Sequence, residues 1–324
     1  MSTNNLSLER DLAPALPLST YSPITSSVAK RLVQVYCYRM HVASSVAALN
    51  LKVEARYTSI VIFRRYTCHY FNDLKGSKIN SEDCGVDASD PSMDGIDYHH
   101  LGVIAAVSIF LGCKAEDDYR SLRNVINVTY RLGFHSINDN SVQNLSSFAI
   151  NEVEEPMPLN EAYWKMKEEI ITKEQEVLRV LRFDICIPQP HRAMLWFIRN
   201  LFDYVDTSQT PLKDEIIVRE KIMCDAWTIL NKIVFSESVL RFNCILLASA
   251  SISLSLSYIT ASMIELNFVT EIRSKLQTLL GLLGSSNEEM RVVIDEMVEI
   301  SKMLALAPRR FDVAANRKSH DSVT

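Results

Sequence analysis

The sequence predicts an all-α protein of two helical domains, and two observations carry that prediction. Glycine is scarce, 8 of 324 residues, which is about 2.5% against an average usage near 7% and leaves little material for bulges, tight hairpins or phosphate-cradling loops. Apolar residues recur with the period of a helix through most of the chain, and 48% of residues are apolar, enough to give each of two domains its own core.

In chain order, residues 1 to 26 are rich in Ser, Thr and Pro and have no sustained period, so they read as a loose N-terminal segment. Its acids and prolines are unlike a secretory leader, and the expected start of the mature chain is near Met1. Val28, Leu32, Val33, Tyr36, Met40, Ala43 and Ala47 then lie on one helical face, as do Ile60, Phe63, Thr67, Tyr70 and Phe71. The stretch from Asn72 to Asp97 has no period and carries seven acids (Asp73, Glu82, Asp83, Asp87, Asp90, Asp94, Asp97) against Lys75 and Lys78, so a mobile acidic loop is expected between two helices. Gly102 to Gly112 is apolar on every side and is expected to be a central helix wrapped by the others, a buried strand being the competing assignment. A second insert is expected over 132 to 159. A long helix follows from Tyr163 to Leu181, and Pro188 and Pro190 forbid its continuation.

Met194, Phe197, Ile198, Leu201, Phe202 and Val205 mark one more helix, and 206 to 213 reads as a linker. Beyond it, helices are expected near 215 to 234, 239 to 260, 270 to 283 and 288 to 306, the last with Met290, Val293, Ile294, Met297, Val298 and Leu304 on one stripe. Ile252 to Ser257 alternates apolar residue and serine with period two, which favours a strand; helix is preferred because small serines let helices pack closely. Residues 308 to 324 read as a loose tail with a weak basic cluster at Arg309, Arg310, Arg317 and Lys318. The expected division is therefore 1–26, a first domain over 27–205, a second over 206–307, and a tail over 308–324.

Composition narrows the function classes. A formal charge of −5 with 34 basic and 39 acidic residues gives no bulk excess to neutralise a nucleic-acid backbone. Seven widely spaced cysteines without a C-x-x-C pair fit reduced thiols of an intracellular protein, nuclear or cytoplasmic. The greasy run from Cys244 to Ile264 is broken by serines and is too short to span a membrane, so a soluble protein is expected.

Candidate chemistry is thin. Asp90, Ser92, Asp94 and Gly95 match the start of a calcium loop, but its twelfth position holds Leu101 where a bidentate Glu is needed. Asp97, His99 and His100 with Cys68 and His69 offer metal-ligand types for a helical hydrolase, yet adjacent histidines on a helix diverge by about 100° and do not converge on one ion. No nucleophile elbow, P-loop or dinucleotide fingerprint occurs. No metal and no cofactor is expected.

Two charges stand where charges should not. Glu174 projects between Ile170, Val177, Leu178 and Leu181, and Lys114 closes the all-apolar helix in line with Val103, Val107, Phe110 and Leu111. They most simply face each other. Such a pair either only fixes how two helices pack, or lies at a groove edge and offers donors and acceptors to a partner's backbone.

Phe110 to Val128 (FLGCKAEDDYRSLRNVINV), Lys167 to Ile185 (KEEIITKEQEVLRVLRFDI) and Pro188 to Ile198 (PQPHRAMLWFI) resemble the first cyclin box, with Lys114 and Glu174 at the lysine and glutamate that hold the partner kinase. SIVIFRRY over 59 to 66 resembles the second helix of that box, with Arg65 at its usual arginine. Ala226 to Tyr258 resembles the second box, most closely that of the cyclin Q branch. The similarity covers roughly residues 27 to 265.

The resemblance implies two tandem five-helix boxes and a non-catalytic protein. It also implies a partner among the cyclin-dependent kinases, of the cyclin-dependent kinase ten family, whose αC helix is pushed inward so that its glutamate pairs with the β3 lysine. On the same resemblance Lys114 and Glu174 bind backbone groups at the start of αC, Leu178 and Phe183 match apolar contact positions, and Ala115 sits where many cyclins place a larger residue. The substrate-docking M-R-A-I-L motif is absent from YCYRMHVASSV and no destruction box occurs, so a transcription-type cyclin is expected. The alternative is a cyclin-box scaffold of the transcription machinery, in the manner of general factor TFIIB, without kinase activation.

Overall fold

The structure is a computed structural model and describes residues 23–45, 48–79, 96–134, 155–203, 212–260, 266–282 and 287–305. Those residues form helices and connections, with no strand among them. The helices are α1 (Ser27–Ala43), α2 (Val53–Ile79), α3 (Tyr98–Ala115), α4 (Leu122–Arg131), α5 (Glu161–Val180), α6 (Pro190–Asp203), α7 (Leu212–Ile233), the single turn α8 (Ser238–Arg241), α9 (Cys244–Thr260), α10 (Leu266–Leu282) and α11 (Asn287–Ala305).

Local chemistry sets most of the boundaries. Side-chain oxygens of Ser26, Asp97, Ser121 and Asn160 each accept from the backbone N–H three residues on, occupying a donor that the first turn of a helix leaves unpaired. Asn243 does the same for Leu246 at 2.8 Å, and so the expected helix 239–260 is cut in two at Phe242–Asn243.

Two bundles result, each built around an apolar helix. α3 packs against α1, α2, α4 and α5, and twelve consecutive-face residues from Leu101 to Cys113 are buried in it. By length and composition α3 is also apolar enough to cross a membrane, but here it is the hub of a helical core. α9 is the second hub, packed against α6, α7, α10 and α11. Its period-two serines are helical: Ser249 and Ser251 return their hydroxyls to carbonyls three residues back, and the buried Ser255 reaches the Ile222 carbonyl of α7 at 3.4 Å. Small side chains bring α9 close to its neighbours, and this packing outweighs the strand-like alternation.

Three expectations change. Residues 72 to 79 are not loop: α2 runs on through Gly76 to Ile79, and Leu74 packs on the core. The remainder of the expected acidic loop, with its calcium-like letters, lies outside the described residues. The ends of the stretch 132–159 are core as well, since Leu132, Phe134 and Met157 are buried and Arg39 of α1 donates to the carbonyls of Leu132 and Gly133. Finally, a division at 205/206 would part α6 from α7 and α9, against which it packs; the contacts favour a boundary at Ile187–Gln189, immediately before α6.

The two bundles meet along α2. Arg64 donates through Nε to the Val234 carbonyl at 2.7 Å, and the turn α8 packs on α2. Of the cysteines described, Cys37, Cys68, Cys113, Cys186, Cys224 and Cys244, none is in a disulfide. Burial pushes the Cys68 and Cys113 thiols up to about 11, so both are neutral and unreactive at neutral pH.

Candidate functional site

The two misplaced charges meet. Lys114 ends α3, Glu174 lies past the middle of α5, and their Nζ and Oε1 are 2.5 Å apart across the α3–α5 contact. The lysine side chain is 45% exposed and the glutamate 16%, so this is a pair on the rim of the core. The Lys114 ammonium also lies over the Phe110 ring, 4.2 Å from its centroid, which keeps the cation over the apolar face while its remaining N–H groups stay open to solvent.

Around the pair lies the end of α5. The helix stops in a turn whose amides close back on it: Leu181, Arg182 and Phe183 donate to Val177, Arg179 and Leu178. Arg182 and Phe183 adopt left-handed backbone, φ 52° and 61°. For a residue as bulky as phenylalanine that conformation is strained and must be held from outside. Arg65 of α2 holds it, donating to both the Asp184 carbonyl at 3.1 Å and its carboxylate at 3.0 Å. The result is that Phe183 projects 68% exposed while Leu178, one turn back, is half-buried. Ala115, half-buried beside Lys114, leaves the rim low.

The other flank of Lys114 is tied to the junction between the bundles. Glu116 accepts from Thr58 at 2.6 Å and from Gln189 at 3.2 Å, while Asp118 accepts from the Lys52 amide at 2.7 Å and from Arg120. Thus the turn after α3 is fixed to the start of α2 and to the residue before α6. Tyr119 in this turn is 78% exposed. What the site can do is present a salt bridge with spare donors and acceptors, flanked by exposed rings, to another protein.

All five candidate residues (Lys114, Ala115, Glu174, Leu178, Phe183) belong to α3 and α5 or their end turns. The sequence reading named Arg65 but not its partner Asp184, and it placed Phe110 in line with Lys114 without assigning the ring a contact with the ammonium. The available signal for the first was an aspartate directly after an apolar helix end, in VLRFD.

The histidine cluster does not converge. His99 Nε2 meets Glu169 at 3.0 Å, whereas His100 Nε2 meets the Tyr66 hydroxyl at 2.9 Å and stacks on Tyr70. Asp97 is occupied as the cap of α3, accepting from the His100 amide. Tyr66 also donates to Glu176 at 2.6 Å, and burial first and this carboxylate second raise the phenol. Burial, reinforced by Lys173, lowers the pKa of His100. Among the described residues no group of three or more His, Cys, Asp or Glu side chains is placed to hold a metal ion.

No family model matches the chain. In sequence it is similar to cyclin-L1 of Xenopus laevis, 24% identical over 165 residues, 49% of this chain and 28% of that protein. It is also similar to cyclin-L2 of Mus musculus, 22% identical over 204 residues, 62% of this chain and 32% of that protein. The matched stretches thus span about a third of the length of these curated relatives. In structure, it resembles a chain of the CAK complex of Chaetomium thermophilum bound to ATP-gamma-S (TM-score 0.53, 15% identity, 98% of this chain and 83% of that one). A chain of the yeast RNA Pol II CTD kinase CTDK-1 complex is similar too (TM-score 0.53, 11% identity, 89% and 76%). The fold is that of tandem all-α cyclin boxes, and the sequence matches are likewise to cyclins.

Proposed function

We propose that this chain, cyclin-like in fold and in sequence, is a non-catalytic regulatory subunit that binds and activates a cyclin-dependent protein kinase. The observation that supports it most is the Lys114–Glu174 pair, half-open on the rim of the first bundle beside the projecting Phe183. An ion pair with this exposure contributes about 0–1 kcal/mol to the fold, so stability alone does not account for its place on an apolar face. Covered by a partner, the same charges become desolvated hydrogen-bonding groups for backbone carbonyls and amides at the start of a kinase αC helix. Leu178 and Phe183 supply the apolar contact that seats that helix, and the low rim at Ala115 leaves room for it. Seating αC inward brings its glutamate to the β3 lysine of the kinase and completes the kinase's phosphate-binding arrangement.

The finer assignment follows the likeness of Ala226 to Tyr258 to the cyclin Q branch, with a kinase of the cyclin-dependent kinase ten family as partner and a transcription-associated, nuclear setting. The sequence matches to cyclins L1 and L2 support a transcription-type cyclin at the coarser level.

The test is capture of purified cyclin-dependent kinases by this chain, followed by peptide phosphorylation, comparing the native protein with Lys114→Ala/Glu174→Ala. Loss of at least about 2 kcal/mol of affinity, roughly 30-fold, with activation lost in a folded double variant is the expected result. A variant that activates equally well would make the pair internal glue and bring forward a cyclin-box scaffold that engages the transcription machinery without kinase activation.

A further inference from the structure

A separate cleft lies on the first bundle, at the end of α3 opposite Lys114. It opens between α2, the start of α3 and α5, and is about 480 Å³ in volume. From His100 at its edge to Lys114 is about 21 Å along the axis of α3, by the rise of a helix.

Rings form its floor. Tyr70 and His100 stack with centroids 5.3 Å apart and planes at 29°, and Tyr66, one turn before Tyr70, is tilted on the same histidine at 5.9 Å. Carboxylates surround these rings. Glu176 accepts from the Tyr66 hydroxyl at 2.6 Å, the Asp97 amide donates to the Tyr70 hydroxyl at 3.2 Å, and Asp73 stands one turn beyond Tyr70 on α2. Asp73 and Asp97 are exposed, and Tyr70, His100 and Glu176 are half-buried, so rings and carboxylates alike are reached from solvent. Leu74 and Val180 add half-buried apolar walls. Among the described residues the lining contains no lysine or arginine, and Lys173, paired with Glu176 from outside it, offsets only one of the three negative charges. Burial lowers the pKa of His100, which keeps its ring uncharged beside an incoming cation.

Charge and rings together select the ligand. An anion is repelled, and among the described residues no three side chains are placed to hold a bare metal ion. A flat cation suits both features, because it stacks on a ring and aims N–H groups at carboxylates along its edge. The sequence from 80 to 95, which joins α2 to the start of α3, carries five further acids (Glu82, Asp83, Asp87, Asp90, Asp94) and no lysine or arginine. It supplies no cation of its own, and its charge strengthens the field that draws in a basic partner. We propose that this cleft receives an arginine side chain from a basic segment of another protein. The guanidinium lies against Tyr70 and His100 and donates to Asp97 and Asp73, with its aliphatic stem on Leu74 and Val180. Asp97 commits Oδ1 to the His100 amide as the cap of α3, so Oδ2 is the oxygen that the guanidinium meets. This site does not rest on the kinase-binding reading.

The experiment is methyl-detected NMR of the full chain with labelled leucine and valine, titrated with the blocked peptide acetyl-Gly-Arg-Gly-Arg-Gly-amide. Parallel arms replace both arginines by citrulline, which keeps the shape and loses the charge, or by lysine, or use guanidinium chloride alone. The proposal expects shifts of the Leu74 and Val180 methyls with the arginine peptide, about tenfold weaker binding of the citrulline peptide and about threefold weaker binding of the lysine peptide. Asp73→Asn and Tyr70→Leu should each weaken the arginine peptide about threefold, whereas Asp83→Asn/Asp87→Asn should leave the shifts in place. Unchanged core methyls of Val107 and Leu111 report that Tyr70→Leu is folded; Asp73→Asn, at an exposed position, decides alone if it is not. Silence with the arginine peptide, equal binding of the citrulline or lysine peptide, or full binding by Asp73→Asn would each overturn it. So would loss of the shifts in Asp83→Asn/Asp87→Asn, which assigns binding to the acidic run, or guanidinium chloride binding as tightly as the peptide, which assigns the cleft to a free small cation.

Discussion

Arg65 grips Asp184 twice, by its carboxylate and by its main-chain carbonyl, and so fixes the left-handed turn that carries Phe183 out of the α5 end. The arginine is buried and the aspartate about a quarter exposed, so the pair is one whose disruption is felt. Removing one partner strands the other charge in a poorly solvated place. Arg65→Ala is expected to lower the urea-unfolding free energy by about 3 kcal/mol. Asp184→Asn keeps the main-chain acceptor and is expected to lose roughly half as much by the same measurement.

Phe183 itself separates binding from stability. Its ring is mostly solvated and its backbone strained, whereas glycine adopts φ near 61° freely. Phe183→Gly is therefore expected to leave the urea midpoint unchanged or to raise stability by up to about 1 kcal/mol. On the proposed function it should at the same time weaken kinase capture by about 2 kcal/mol. A fall in both would show that the ring supports the turn instead of a partner.

Gly112 marks a close approach of α3 to α2. A Cβ there would meet Ser59 Oγ and would stand 2.8 Å from the Ser59 nitrogen and 2.9 Å from the Ala55 carbonyl, both backbone atoms that have nowhere to go. Gly112→Ala is expected to push the helices apart and destabilise by about 2–3 kcal/mol in urea titration. Because Lys114 follows by two residues, the shift should also disturb its distance to Glu174.

The buried His191 and the half-buried His41 are expected to make stability fall in acid. Burial depresses His41 and His191 to about 4, His41 further through Arg56, while in His191 the side chains of Asn231 and Glu54 only partly oppose it. His191 packs edge-on to Trp227 and Tyr57. Unfolded, each ring titrates near 6.5. Between these values the unfolded chain binds more protons, so the neutral rings' contribution is full above about pH 6.5 and is lost as pH falls toward 4. The urea midpoint should drop steadily from pH 7 to pH 4.5, and His41→Phe/His191→Phe should flatten that slope.

Much of the fold was legible because helical periodicity is local. The apolar stripes of α1, α2, α6 and α11 and the all-round greasiness of α3 each announce a buried face without reference to any other helix. The site was half-legible for a related reason: Lys114 and Glu174 break those stripes, and a charge on an apolar face is visible wherever its partner lies. Asp184 was less legible as an anchor: it stands directly after an apolar helix end, but it breaks no stripe and its partner is 119 residues away.

The sequence by itself determined most of the helices, which of their faces are apolar and where the two anomalous charges stand, since these depend on interactions within a few residues. Only the tertiary structure decided that α2 outruns its apolar stripe to Ile79, that α6 packs with the second bundle and that Lys114 stays half in water. A side-chain period states which way a helix faces. It does not state what lies opposite, and that depends on how helices far apart in the chain fill space together.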